Sequence, residues 1–237
     1  MKLTAPIYQL KRQARLSARQ HGIPLNQALD AVARHEGFAS WSLLARHAAM
    51  CAPTPDILDQ LHPGDLVLLG ARRGHGKTLL GLELLAGAVK SGRYGMFFTL
   101  EDTATEVQDR LRATGIDPDA LGDRFVIDTS DHICAAHIVA RLAGAPSPVF
   151  AVVDYLQLLD QRRDTPALSD QIAQLHQTAR DAGAIIVLLS QIDRRFETGA
   201  KAVPDISDVR LPNPLDLAQF SKTCFLHEGA LRLEQTG

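Results

Sequence analysis

The sequence LVLLGARRGHGKT, residues 66–78, changes abruptly from an apolar run to a basic, glycine-rich turn. The apolar run predicts a buried strand, and the helical pattern that follows it completes a strand–loop–helix unit. Backbone N–H groups in such a loop, together with the positive end of the helix dipole, form a binding site for phosphate groups. We therefore predict a nucleotide-phosphate loop made of Ala71, Arg72, Arg73, Gly74, His75, Gly76, Lys77 and Thr78.

Two residues at the end of this loop carry specific chemistry. The Lys77 ammonium would reach the β- and γ-phosphates, and the Thr78 hydroxyl would bind Mg²⁺. The loop departs from the pattern G-x-x-x-x-G-K-[ST] at its first position, where Ala71 replaces glycine. A glycine-rich turn without a ligand is the alternative, and the strand–loop–helix context argues against it.

Composition indicates a globular protein of ordinary hydrophobicity. The chain has 237 residues, of which 46% are hydrophobic. No apolar run approaches the ~20 residues of a membrane-spanning helix, so we expect no contact with a membrane. The three cysteines, Cys51, Cys134 and Cys224, share no metal-like spacing. We expect each to be a small buried apolar residue in a reducing cytoplasm.

The chain divides by pattern into a small basic module, a linker and a larger domain. Residues 1–50 predict three short helices, which begin near Pro6, Pro24 and Ser40. Residues 51–56 contain two prolines and predict a linker, and residues 57–237 form the larger domain.

Charge is distributed unevenly between these parts. Residues 1–50 hold seven Lys and Arg residues against two acidic residues, a net charge of +5, whereas residues 51–237 carry −7. Arg12, Arg15 and Arg19 share one face of the first predicted helix. A basic module of this kind binds nucleic acid, or it docks on its own acidic domain, a neighbouring subunit or another protein. Both interpretations stay open at this point.

Apolar runs alternate with helical patterns beyond the linker, which indicates an α/β domain with a mainly parallel sheet flanked by helices. The predicted strands are Asp65–Leu69, Tyr94–Leu100, Arg124–Asp128, Val149–Tyr155 and Ala184–Ser190. The predicted helices are Lys77–Lys90, Thr103–Thr114, Ile133–Ala143 and Ser169–Ala182. Crossovers between parallel strands are right-handed, so the carboxyl ends of the strands lie at one edge of the sheet.

Polar residues follow the predicted strands at that edge, where ligands of open α/β sheets bind. Asp154 is suited to the carboxylate that supports Mg²⁺, and Glu101 to the base that orients the attacking water. Gln191 would contact the γ-phosphate. Either carboxylate taken alone would also be compatible with a helix cap. Their order at successive strand ends instead favours phosphoryl transfer.

Four stretches resemble the signature sequences of the DnaB-type replicative helicases, a branch of the RecA-fold P-loop ATPases. They are GARRGHGKT (70–78), FFTLE (97–101), VDYLQLL (153–159) and LSQIDR (189–194). The resemblance extends over about residues 55–228 and includes ISDVR (206–210), which resembles the approach to that family's DNA-contacting loop.

The resemblance implies an ATP hydrolase that uses ATP and Mg²⁺, binds single-stranded DNA and forms a homo-oligomer such as a hexameric ring. It implies catalytic roles for Lys77, Glu101 and Gln191, and metal binding by Thr78 and Asp154. The resemblance implies DNA contacts for Arg210, Arg194 and Arg195. A solvated surface position is the alternative for each of them. For Arg194 and Arg195, contact with a neighbouring subunit is a further alternative.

The sequence departs from the family pattern at several places, and these departures leave more than one functional interpretation open. The basic module does not resemble the family's large N-terminal domain, which recruits primase, and residues 211–216 lack the usual glycine. A terminal K-x-R finger has no clear counterpart, and Arg232 is a poor substitute by position. We expect a DnaB-like helicase or DNA-dependent ATPase acting in DNA replication or related DNA transactions. The alternative is a regulatory or loader-type ATPase that controls a protein partner, and a third possibility, an interaction module with little turnover, fits the intact site least.

Overall fold

The computed structural model describes residues 4–5, 7–44, 57–160, 165–193, 196, 204–210, 215–227 and 230–236. The chain forms two compact units, Met1–Pro53 and Thr54–Gly237. The predicted linker, 51–56, lies outside the described residues, as do Arg194 and Arg195.

The first unit is a small helical module. Helix α1 spans Ile7–His21 and helix α2 spans Leu25–His35. A further helical turn covers 41–44, so the described residues contain only the beginning of the third predicted helix. Leu10, Ala33 and Leu44 are buried together, with the Trp41 ring packed against them. The only tryptophan of the chain therefore belongs to the core of this module.

The second unit is an α/β domain built on a seven-stranded sheet. Its strands are β1 Leu66–Ala71, β2 Tyr94–Thr99, β3 Phe125–Asp128, β4 Val149–Asp154, β5 Ile185–Gln191, β6 Lys222–His227 and β7 Ala230–Gln235. Its helices are α3 Lys77–Lys90, α4 Ala104–Ala113, α5 Ala135–Ala143 and α6 Leu168–Ala182. The strand order is β3-β2-β4-β5-β1-β6-β7, and every neighbouring pair is parallel except β6 and β7.

Alternating side chains of the central strands pack into two separate apolar layers. Val67 and Leu69 of β1 pack on the side of α3 and α4. Leu66 and Leu68 of the same strand pack on the side of α5 and α6. Because successive side chains of a strand point to opposite faces, a strand that is apolar throughout must be covered on both sides. The α/β class predicted from the sequence is confirmed.

Helix α3, which begins at the end of the predicted phosphate loop, lies close to the sheet. A Cβ atom at Gly81 would lie 3.1 Å from both Leu189 Cδ1 and Val152 Cγ1. Glycine at this position therefore lets the helix backbone approach β4 and β5 closely.

Strands β6 and β7 were not predicted as such from the sequence. Strand β6 pairs with β1, whose residues lie about 150 positions earlier in the chain, for example Val67 with Lys222. Strand β7 is an edge strand whose apolar residues alternate with polar ones. Neither strand carries a strong local signal, because the pairing that defines β6 is formed only in the folded sheet.

None of the helices in the described part of the chain has the length and apolarity needed to cross a bilayer. Cys224 is buried, and burial raises the pKa of its thiol to about 12. Cys134 is only half-buried, so the expectation of a fully buried residue is wrong for that cysteine. Cys51 lies outside the described residues.

Candidate nucleotide-binding site

The predicted phosphate loop connects β1 to α3. Ala71 is the last residue of β1, and its carbonyl accepts a hydrogen bond from the Ile192 N–H at 3.0 Å. The departure from the usual glycine is explained by this position, because an extended strand residue does not require glycine. Gly74 and Gly76 have φ angles of +79° and +88°, which glycine adopts without the strain of a side chain.

The first turn of α3 faces the loop without a side-chain cap. Gly76 is the N-cap residue, and no side chain accepts a hydrogen bond there. The first N–H groups of a helix have no partner within the helix, and the helix dipole adds partial positive charge at this end. This N-terminus therefore has the donors that a phosphate group requires.

Lys77 and Thr78 converge on one carboxylate. Asp154 ends β4, and only 2% of its side chain is exposed. Its Oδ2 accepts a hydrogen bond from Thr78 Oγ1 at 2.6 Å, and its Oδ1 pairs with the Lys77 ammonium. A hydroxyl beside a carboxylate supplies oxygen ligands of the kind that Mg²⁺ prefers. The adjacent ammonium supplies the positive charge that phosphate binding requires.

Glu101 lies in the loop between β2 and α4. Thr99 Oγ1 accepts hydrogen bonds from the N–H groups of Glu101, at 3.2 Å, and Asp102, at 3.4 Å. Thr103 caps α4 in a reciprocal capping box with Glu106, as its sequence pattern predicts. Glu101 is therefore not the helix cap that the alternative interpretation required. Its side chain is exposed while its backbone is held.

The end of β5 is joined to the segment 206–210. The Arg210 N–H donates to the Gln191 carbonyl at 2.9 Å, and the Asp193 N–H donates to the Asp208 carbonyl at 2.8 Å. Ile192 and Val209 form an antiparallel bridge between these two bonds. The backbone of Gln191 and the backbone of Arg210 are therefore in direct contact.

Comparison of the sequence with known protein families agrees with this geometry. Residues 120–215 match the model of the DnaB-like helicase C-terminal domain. Residues 120–215 are therefore similar to the C-terminal domain of DnaB-like helicases. The match includes the carboxyl end of β4, with Asp154, and the end of β5, with Gln191.

Curated proteins that are similar to this chain carry related names. The replicative DNA helicase DnaB of Leifsonia xyli subsp. xyli is 24% identical over 186 residues, which cover 65% of this chain and 41% of the relative. A probable plasmid replicative DNA helicase of Chlamydia trachomatis serovar L2 is 29% identical over 181 residues, covering 63% of this chain and 40% of the relative. The chain thus spans about two fifths of the length of these relatives.

Solved structures share the fold of this chain. One solved ATPase domain matches with a TM-score of 0.58 at 20% identity, and the match covers 70% of each chain. A DnaB-like replicative helicase, from a structure that describes its interactions with primase, matches with a TM-score of 0.59 at 19% identity. That match covers 92% of this chain and 65% of the other. The predicted RecA-like ATPase fold is confirmed.

Two side chains of the predicted loop contact other parts of the α/β domain. Arg72 is buried, and its Nη1 donates to the Ile192 carbonyl at 3.2 Å. The His75 ring stacks on the His227 ring of β6, with centroids 5.3 Å apart. These contacts support the loop from the β5 and β6 sides. Arg73 is exposed.

Tyr155 lies among the predicted site residues, although sequence reasoning gave it no role. Lys77 Nζ lies 5.0 Å from the centroid of its ring. Burial and the negative charges of Glu101 and Asp154 raise the pKa of the Tyr155 hydroxyl, and Arg210 and Arg73 partly offset that rise. These charges therefore surround one ring. Its position directly after Asp154 was the available signal.

Arg110 of α4 was also not predicted. Its Nη2 donates to Asp102 Oδ1 at 2.8 Å, beside Glu101. This hydrogen bond, and then the charges of Asp102 and Asp154, raise the pKa of Arg110 against the effect of burial. The guanidinium therefore lies within the electrostatic reach of the Asp154 carboxylate. Only the position of α4 in the fold reveals this.

The remaining predicted arginines differ in their surroundings. The Arg210 side chain is exposed in the segment beside Gln191. Arg232 lies on the edge strand β7 and pairs with Glu234 of the same strand. Arg194 and Arg195 are outside the described residues.

Proposed function

We propose that this chain is an ATP-hydrolysing DnaB-like motor or DNA-dependent ATPase that acts on single-stranded DNA in replication or related DNA transactions. One observation carries the proposal: Lys77 and Thr78, from the end of the predicted phosphate loop, both contact Asp154 at the end of β4, which is separated from β1 by β5. The names of the curated relatives, which are replicative helicases, support the same activity.

Each side chain has one role in the proposed reaction. Lys77 holds the β- and γ-phosphates and balances the charge that develops on them. Thr78 and Asp154 hold Mg²⁺, which when bound would neutralise charge on the phosphate oxygens. Glu101 orients the attacking water and accepts its proton. Gln191 contacts the γ-phosphate. The loop residues Ala71–Thr78 contribute backbone N–H groups and, through Arg73, positive charge.

The proposed DNA contact is Arg210, with Arg194 and Arg195 as further candidates. The exposed Arg210 guanidinium suits a phosphate contact that is independent of base sequence. Its backbone bond to Gln191 supports a link between the nucleotide and the DNA strand.

The proposed assembly is a homo-oligomeric ring, and a hexamer is the first arrangement to test. Phosphoryl transfer at such sites is accelerated by an arginine, often from another subunit. Arg232 is a weak candidate for that role because its guanidinium is paired with Glu234. Either another arginine accelerates the reaction, or hydrolysis is slow.

The same observation favours a second candidate function. A site with the predicted phosphate and metal ligands, but with Arg232 held by Glu234, would bind ATP and hydrolyse it slowly. Such a protein would be a regulatory or loader-type ATPase, whose nucleotide state controls a partner protein through residues 1–50.

The test is the rate of ATP hydrolysis with and without single-stranded DNA, together with the mass of the assembly with and without ATP·Mg²⁺. The proposed motor or DNA-dependent ATPase requires stimulation by DNA and an oligomer. ATP binding with slow, DNA-independent turnover would instead support the regulatory function. The absence of ATP binding would contradict both.

A further inference from the structure

Gln157 is a polar residue in the 3₁₀ turn Leu156–Asp160, which follows β4 directly. Its side-chain amide Nε2 donates to two groups outside this turn. The first acceptor is the Arg210 carbonyl at 2.7 Å, and the second is Ser190 Oγ on β5 at 3.3 Å. One side chain thus connects the end of β4 to the end of β5 and to the segment 206–210.

Arg210 is held from both sides of its backbone. Its carbonyl accepts from Gln157, and its N–H donates to the Gln191 carbonyl at 2.9 Å. Gln191 is the residue after Ser190, the other acceptor of the Gln157 amide. These hydrogen bonds form a closed network that includes the ends of β4 and β5, the two strands that carry Asp154 and Gln191.

The turn that carries Gln157 is anchored at both ends. Leu156 and Leu159 are buried in the layer on the α5 and α6 side. The Leu159 carbonyl accepts from Gln171 Nε2 of α6 at 2.6 Å, and at the other end Asp154 holds Lys77 and Thr78. Both ends of the turn are therefore fixed by packing and hydrogen bonds, the arrangement that a mechanical link between Asp154 and Gln157 requires.

The other end of the amide is not satisfied. Gln157 Oε1 is buried and has no hydrogen-bond partner among the described residues. A buried acceptor without a donor is costly, so any rearrangement that brings a donor to this oxygen is favoured. The contact with Arg210 therefore leaves the oxygen of the same amide without a donor among the described residues.

We propose that Gln157 is a positioning residue that couples the nucleotide pocket to the segment 206–210. It touches neither nucleotide nor DNA. It transmits a movement of the β4 end to the backbone of Arg210. This inference rests on the proposed function, because it takes Asp154 as a nucleotide-site residue and Arg210 as a DNA contact.

The test compares Gln157→Leu and the isosteric Gln157→Glu with the control Gln177→Leu. Both changes at Gln157 remove the donor, and the glutamate preserves the shape if the leucine variant does not fold. Gln177 is exposed on α6, where its Nε2 donates to Asp181 at 2.8 Å, so its replacement removes a comparable bond away from the site. The measurements are amide hydrogen exchange in 206–210, with and without a non-hydrolysable ATP analogue and Mg²⁺, and the ratio of ATPase rates with and without single-stranded DNA.

In the parent and in Gln177→Leu, the analogue should change exchange at the Arg210 amide. In both Gln157 variants exchange there should be faster and indifferent to the analogue, and stimulation by DNA should fall about 5-fold or more, the lower range of a typical coupling between sites. Affinity for the analogue should stay within about 3-fold of the parent, as the residue touches no nucleotide.

Three results would overturn the inference: a nucleotide response that persists in the Gln157 variants, no response in the parent, or analogue affinity that falls together with the coupling. The last would make Gln157 a structural support of the pocket. If the parent hydrolyses ATP without any effect of DNA, the proposed DNA function fails separately. The exchange measurement then still decides whether Gln157 couples the pocket to the segment.

Discussion

At the scale of single residues, Asp154 is the centre of the candidate site. Its carboxylate is almost fully buried, yet it accepts a hydrogen bond from the Thr78 hydroxyl and lies against the Lys77 ammonium. A buried carboxylate is tolerated in an apolar sheet only when it is paired and hydrogen-bonded in this way. The arrangement holds the three side chains in register before a ligand binds, which is the preorganisation that phosphoryl transfer requires.

Replacement of Lys77 by alanine should remove the charge that holds the β- and γ-phosphates. We expect ATP hydrolysis to be abolished and ATP affinity to fall severalfold. Hydrolysis is measured by phosphate release, and affinity by titration with a fluorescent ATP analogue. Lys90→Ala, at the exposed far end of the same helix, is the control and should behave like the parent. Turnover at the parent rate in Lys77→Ala would rule out the phosphate loop.

Replacement of Glu101 by glutamine separates binding from chemistry, because it keeps the shape of the side chain and removes its basicity. We expect ATP·Mg²⁺ binding to be retained and hydrolysis to fall at least ~100-fold, in line with the contribution of a general base. Asp123→Asn, an exposed carboxylate in the same domain, serves as the control. A loss of only a few-fold would transfer the role to another group, and Asp154 would be the next to test.

At the scale of elements, helix α1 presents a basic surface to solvent. Lys11, Arg12, Arg15 and Arg19 are exposed and fall within an arc of about 100° on the helix, away from the buried Leu10 and Ala14. We call these four residues the α1 basic face.

Both acidic side chains of the module are used internally. Asp30 Oδ1 accepts from the Trp41 N–H at 2.9 Å, and Glu36 accepts from the Thr4 N–H at 2.8 Å. The hydrogen bonds from Thr4 hold the pKa of Glu36 below its usual value. Neither carboxylate is therefore placed to neutralise the α1 basic face.

If the α1 basic face binds DNA phosphates, affinity for single-stranded DNA should fall steeply with salt. Alanine at all four positions should then reduce the slope of log K against log salt by up to about 3, near 0.7 for each phosphate that is no longer neutralised. Filter binding at several salt concentrations measures the slope. The variant Lys90, Arg112 and Arg180 to alanine, all exposed in the larger domain, is the control.

The competing interpretation is that this face docks on protein. Deletion of residues 1–50 would then alter the mass of the assembly or its thermal stability, and leave the salt dependence of DNA binding unchanged. A DNA effect without any change of assembly would exclude docking as the main role. Exposed Leu16, Leu25 and Leu43 on the same module give docking an apolar component to test.

At the scale of the whole domain, strands β1 and β6 are tied together by a buried ion pair. Asp65, directly before β1, contacts the Lys222 ammonium of β6 at 2.5 Å and accepts from Ser221 Oγ at 2.8 Å and the His62 N–H at 2.7 Å. Burial by itself would raise the pKa of Asp65, but these bonds and the Lys222 charge outweigh it, so the pKa is lowered from 3.8. The pair joins segments about 160 residues apart in sequence.

Stability of the domain should depend on this pair in a defined pH range. Because the pKa of Asp65 is lower in the folded than in the unfolded state, its contribution is complete above about pH 5 and is lost as the pH falls through 3.8 and below. Lys222→Met should lower the free energy of unfolding by about 3 kcal/mol at neutral pH, since it leaves a buried carboxylate without its cation.

Urea unfolding at neutral pH and at several acidic pH values measures both effects. Lys90→Met, the same change at an exposed position, should leave stability within about 0.5 kcal/mol. Because the carboxylate is the source of the cost, the double variant Asp65→Asn with Lys222→Met should recover part of the loss. A Lys222→Met variant as stable as the parent would contradict this interpretation.

The elements that the sequence predicted well are those whose causes are local. Helix α3 spans Lys77–Lys90 as predicted, and the capping box of Thr103 and Glu106 forms as predicted, because each depends on residues three or four positions apart. The strand ends that carry Asp154 and Gln191 followed from apolar runs bounded by polar residues. Boundaries differ by one or two residues where strands end at hydrogen bonds that only the sheet defines.

The sequence by itself therefore determined the α/β class, the phosphate loop and the residues at successive strand ends, since periodicity and turn chemistry act over short distances along the chain. Only the tertiary structure decided which of these residues meet. The groups around Tyr155 and Gln157 come from distant segments of the chain, as does Asp154 near Arg110, and their proximity depends on the order β3-β2-β4-β5-β1-β6-β7. Strand order results from packing and pairing over long separations, which no local pattern encodes.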